Sequence, residues 1–96
     1  MIAEFSVVPI GKGESLSPYV AECLRIVKSS GLVHQFTPMG TIVEGDFDVV
    51  MKTIVECHEK VKGMSNRVLT NIKIDDRSGG KDEIHRKVAS VEKKLP

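Results

Sequence analysis

The chain has 96 residues, of which 41% are hydrophobic and 28% charged, and its 14 basic and 13 acidic side chains leave a formal net charge of +1. That length predicts one domain, residues 1–96, with a modest core. The charge balance gives no basic surplus for a nucleic-acid footprint, and apolar runs of only a few residues argue against a bilayer-spanning segment. In chain order, Ile2 to Ile10 is rich in Val, Ile and Phe and predicts a strand ending at Pro9 and Gly11. Ser17-Pro18 opens a helix, with Ser17 as N-cap and Pro18 in the first helical position. Val20, Cys23, Leu24 and Val27 place one apolar stripe on that helix, and Gly31 closes it. Leu32 to Thr37 and Thr41 to Gly45 read as a β-hairpin turning at Pro38-Met39-Gly40. Asp46 caps a second helix whose stripe is Phe47, Val50, Ile54, Cys57 and Val61, stopped at Gly63. Asn66 to Asp75 is a long strand with Val68, Thr70, Ile72 and Ile74 on one face and Leu69, Asn71, Lys73 and Asp75 on the other. After a break at Arg77-Ser78-Gly79-Gly80, Ile84, Val88, Val91 and Leu95 mark a third helix. Asp82 and Glu83 fall in its first turn, Lys93 and Lys94 in its last.

The order β-α-β-β-α-β, then a helix, predicts an α+β fold: a ferredoxin-like sandwich with an additional C-terminal helix. Two helices cover one face of such a sheet. The other face is covered by the third helix, by a neighbouring subunit, or by both, so a homo-oligomer is expected.

Cys23 and Cys57 are the only cysteines, each within a helical apolar stripe. They read as buried free thiols in a reducing cytoplasm; a disulfide would need the two helices to be neighbours. Met1-Ile2-Ala3-Glu4 has no basic run of the kind that opens a signal peptide, which agrees with a cytoplasmic location. His34, His58 and His85 are dispersed, no Cys/His spacing suits a metal, and no nucleophile–base arrangement is visible. Neither catalytic residues nor a cofactor are therefore expected. Three segments carry surplus polarity. Thr37, Thr41 and Glu44 put hydroxyls and a carboxylate on the hairpin, and Ser6 adds a hydroxyl on the first strand, sharing a face with Glu4 and Val8. Arg77-Ser78-Gly79-Gly80-Lys81 sets two glycines between cations before a helix, a weak candidate for an anion, although it lacks the spacing of a P-loop.

Ala3-Glu4-Phe5-Ser6-Val7-Val8-Pro9-Ile10-Gly11, Tyr19-Val20-Ala21-Glu22, Thr37-Pro38-Met39-Gly40-Thr41-Ile42-Val43-Glu44-Gly45 and Arg77-Ser78-Gly79-Gly80 carry a resemblance that extends over essentially the whole chain. They resemble the small cytoplasmic thiamine-binding-protein family, related to the YkoF-type proteins. The resemblance implies a ferredoxin-like fold assembled into dimers or tetramers through sheet faces. It also implies a non-enzymatic protein that binds thiamine or its hydroxymethylpyrimidine portion. Carried onto this chain, Ser6, Thr37, Thr41 and Glu44 would form a polar pocket wall, with Glu44 pairing the ligand amine and Met39 and Phe36 giving apolar contact. Aromatic surface is scarce: the chain has no Trp, one Tyr and three Phe. Two other readings stand beside this one. The first is a structural or regulatory homo-oligomer without a ligand. The second is an enzyme acting on a phosphorylated metabolite at the Arg77–Lys81 loop.

Overall fold

The computed structural model describes residues 1–95. Its elements are β1 (Ile2–Pro9), α1 (Ser17–Ser30), β2 (Val33–Thr37), β3 (Gly40–Glu44), α2 (Phe47–Lys62), β4 (Val68–Asp75) and α3 (Glu83–Glu92). The strands form one four-stranded antiparallel sheet in the order β2-β3-β1-β4. This is the ferredoxin-like βαββαβ arrangement with a C-terminal helix.

Register follows from side-chain alternation. Ala3, Phe5 and Val7 of β1 are buried, and Val43 and Thr41 of β3 pair with Ala3 and Phe5. All five therefore face α1 and α2. Those helices pack against each other and the sheet through Cys23, Val27, Val50, Ile54, Cys57 and Val61. Burying a Val or Ile side chain of this kind contributes roughly 1.5–3 kcal/mol, so this stripe-on-sheet contact is the main source of stability. Gly31 ends α1 at φ 76°, a left-handed position that a Cβ disfavours, and its N–H bonds the Lys28 carbonyl.

The boundaries shift slightly from those predicted. The N-cap of α1 is Leu16, because the helical turn starts one residue early and Pro18 still falls within its first turn, where no N–H is needed. Phe47, the first residue of α2, is half exposed. α3 ends at Glu92, which leaves Lys93 and Lys94 beyond its last turn. Of the apolar stripe of α3 only Ile84 is buried, while Val88, Val91 and Leu95 are exposed. The faces predicted for β4 agree with its register against β1.

Among the described residues no helix is long and apolar enough to cross a membrane. No side-chain nitrogen or oxygen there that is wholly shut off from solvent lacks a hydrogen-bond partner.

Candidate functional site

Strand lengths create the site. β1 has 8 residues, whereas β2 and β3 have 5 each. β1 pairs with β4 along its whole length, but with β3 only from Ile2 to Phe5. Antiparallel strands point successive residues' N–H and C=O groups to alternate sides. The Gly45 N–H donates to the Met1 carbonyl on the hairpin side, and the Ile10 N–H donates to the Arg67 carbonyl on the β4 side. Odd-numbered residues of β1 therefore face the hairpin. Phe5 is the last that finds it, and Val7 presents an N–H and a C=O where no strand continues.

A cleft of about 240 Å³ opens at that place. Phe5 and Val7 form its floor, Leu16, Val20 and Cys23 one wall, Phe36 and Thr41 the other, and Pro38 and Met39 its rim. No charged side chain lines it among the described residues. Its polar resources are thus neutral hydrogen-bonding groups in apolar surroundings, where each counts for more than in water. Gly40 is needed at the lip: a Cβ there would meet the Phe5 carbonyl oxygen at 3.1 Å.

Five of the six hairpin and first-strand candidates, Ser6, Phe36, Thr37, Met39 and Thr41, come together at this cleft; Glu44 does not. They do not form one polar face. Thr41 pairs with Phe5, so it shares the helix-covered side, whereas Ser6 and Glu44 belong to the opposite side of the sheet. Thr41 is 8% exposed, and among the described residues its hydroxyl makes no hydrogen bond. The Thr37 hydroxyl is engaged by the turn itself. It donates to the Gly40 carbonyl at 2.8 Å and accepts from the N–H groups of Gly40 at 3.1 Å and Met39 at 3.3 Å. Ser6 also borders a second cleft of about 280 Å³ on the open face, with Glu4, Met39, Asn71 and Lys73.

Glu44 has a different task. Its carboxylate accepts from the N–H groups of Glu83 at 2.7 Å and Ile84 at 3.1 Å, the first amides of α3. This occupies the helix N-terminus that the Arg77–Lys81 loop was expected to offer an anion. Arg77, Ser78 and Gly79 lie exposed in a turn closed by the Gly80 N–H donating to the Arg77 carbonyl, and Lys81, also exposed, follows it. The histidines are also engaged: the His58 Nδ1 lies 2.7 Å from the Thr70 hydroxyl and the His34 Nδ1 2.9 Å from the Leu32 carbonyl oxygen. Among the described residues no group of three His, Cys, Asp or Glu could hold a metal ion.

A larger groove of about 530 Å³ runs between the outer faces of the helices, where Arg25 and Lys52 offset Asp48 and Glu56 beside open solvent. The cleft differs in being floored by the sheet. Sequence reasoning missed Val7, Leu16, Val20 and Cys23. The available signal was the difference between a long first strand and a short hairpin.

A family model described as thiamine-binding protein matches residues 3–92. The chain belongs to the thiamine-binding protein family. This family member is 36% identical over 91 residues to the UPF0045 protein MJ1052 of Methanocaldococcus jannaschii, covering 95% of this chain and 91% of that protein. The crystal structure of MJ1052 matches with a TM-score of 0.89 over 95% of this chain and 94% of that one. A UPF0045 protein of Mycobacterium bovis is 40% identical over 96 residues, covering 99% of this chain and 94% of the relative. A Thermotoga maritima protein described as a candidate thiamine biosynthesis/salvage protein matches with a TM-score of 0.82 at 24% identity, over 94% and 96% of the two chains, which shows the shared fold.

Proposed function

We propose that this protein binds thiamine, or more narrowly its hydroxymethylpyrimidine portion, in the cleft beside Val7, and that it catalyses no reaction there. One observation carries the reading: β1–β3 pairing stops at Phe5, and Val7, the next residue facing the hairpin, lines the same apolar cleft as Thr41. An aminopyrimidine is flat and offers an amine donor and ring-nitrogen acceptors, which match a carbonyl, an amide N–H and a hydroxyl. The Val7 carbonyl takes the role that the sequence suggested for Glu44. The cleft, at about 240 Å³, falls below the roughly 300–1,000 Å³ of drug-sized sites, which favours one ring over intact thiamine. With no charged lining, it does not compensate a thiazolium cation. The family's description as thiamine-binding supports the ligand class.

Calorimetry with hydroxymethylpyrimidine, thiamine and their phosphorylated forms tests this. Hydroxymethylpyrimidine should bind, and Thr41→Val should weaken it roughly tenfold, one lost hydrogen bond. Glu44→Gln should leave affinity unchanged. Absence of heat with every compound sinks the proposal.

A second reading concerns assembly. Val33 and Leu69, on the open face of the sheet, are exposed, as are Val88, Val91 and Leu95 of α3. Apolar surface so arranged supports a homo-oligomer, dimer or tetramer, joined through that face. Light scattering that gave a monomer at micromolar concentration would refute it. The two free thiols fit a reducing, cytoplasmic setting.

A further inference from the structure

α1 and α2 meet at Cys23 and Cys57, and the two residues embrace each other. The Cys23 thiol points to the Cys57 carbonyl at 3.9 Å, and the Cys57 thiol to the Cys23 carbonyl at 3.6 Å. Each sulfur therefore lies against the other residue's main chain, which places the two thiols side by side where the helices meet. Both thiols are free. Their access to solvent differs: Cys57 is 0% exposed, while Cys23 is 7% exposed and lines the cleft. A small solute entering the cleft meets Cys23 first.

We propose that Cys23 and Cys57 form a peroxide-responsive dithiol, with Cys23 attacking through the cleft and Cys57 resolving, so that oxidation joins α1 to α2 by an intramolecular disulfide. The inference does not depend on which ligand the cleft takes. The Cys23 sulfur, as thiolate, attacks one oxygen of hydrogen peroxide. The O–O bond breaks, Cys23 carries S–OH, and the departing hydroxide takes up the Cys23 thiol proton as water. Cys57 then loses its proton and its sulfur attacks that of Cys23. The S–O bond breaks, and hydroxide leaves with the Cys57 proton as a second water. Two thiols are oxidised by two electrons and one peroxide is reduced to two waters.

The order of attack has a physical basis. Cys23 lines the cleft and keeps some access to solvent, whereas Cys57 has none, so peroxide reaches the Cys23 sulfur first and leaves Cys57 to resolve. The intervening stretch from 23 to 57 makes the cross-link one that restricts the unfolded chain strongly.

The reduced full-length protein is treated with hydrogen peroxide and followed by intact mass and thermal unfolding. The expected result is a loss of ~2 Da, with one digest fragment pair joined through Cys23 and Cys57. Tm should rise by on the order of 10 °C, and dithiothreitol should reverse both changes. In Cys57→Ser, a sulfenic acid trapped by dimedone should appear at Cys23. The wild-type measurement stands without that variant should it fail to fold. Oxygen addition without mass loss, a covalent dimer, or unreacted thiols would each overturn the proposal.

Discussion

Thr37 and Thr41 flank the same turn, yet their hydroxyls have opposite obligations. Thr37 replaces main-chain partners at the turn, accepting two N–H groups and donating to a carbonyl. Thr41 sits on the helix-covered side with its hydroxyl uncommitted. Removing the first should therefore cost stability and removing the second should cost binding. Thr37→Val is expected to lose about 2 kcal/mol, read as a lower urea midpoint at unchanged slope. Thr41→Val should unfold within about 1 kcal/mol of the parent. Both threonines and the turn were legible in the sequence as residues. Their faces were not, because side chains alternate along a strand and a hairpin's register against a distant strand is not a local property. That is why Ser6 and Thr41, which read as one wall, stand on opposite sides of the sheet.

At the level of elements, α3 depends on a residue 39 positions earlier in the chain, since the Glu44 carboxylate takes up the Glu83 and Ile84 N–H groups. A carboxylate suits a helix N-terminus both as acceptor and as charge. Glu44→Ala should loosen α3 by about 1 kcal/mol, seen as faster amide exchange at Ile84 with little change at Val27. Side chains add to the attachment. The Lys87 ammonium bonds Asp75 at 2.5 Å and holds that carboxyl below its ordinary 3.8. Arg86, bonded to the buried Glu83 carboxylate, lowers Glu83 below 4.5. Such depressed carboxylates contribute stability that is present above their ordinary values and lost as pH falls through the lower native ones. His85 works the other way. The Asp82 carboxylate beside it raises its pKa above 6.5, so its contribution is complete below 6.5 and lost as pH rises through the native value. Exchange protection of α3 should thus be greatest between pH 4.5 and 6.5. The Asp75–Lys87 and Asp82–His85 pairs are largely exposed, so added salt should flatten the profile. The sequence showed that a third helix exists, from its apolar spacing and first-turn acids. It could not show Glu44 as the cap, because that contact joins segments which only the folded sheet brings together.

The whole molecule rests on one helix-to-sheet layer. Ile54 is among the largest wholly buried side chains, and Ile54→Ala should cost about 2–5 kcal/mol. For a domain stable by roughly 5–15 kcal/mol, that is a large share, measurable by thermal or urea unfolding. The element order was readable because every helix carries a 3–4 spaced apolar stripe and the turns carry Gly or Pro. Which strands neighbour which then followed from the topology. The cleft was not readable, since it is made by what is missing from β2 and β3 and not by a motif. The hairpin arms stop after Phe5 has found its partner, and the space beyond is open to something else. Specificity here is consequently encoded in length as well as in side chains. Two residues added to each arm would let the hairpin reach Val7 and fill the site with its own main chain, abolishing the cleft without altering any residue that lines it. Insertions and deletions around Pro38 and Met39 are therefore the changes through which this scaffold would most readily acquire or lose a ligand, with point substitutions refining the result.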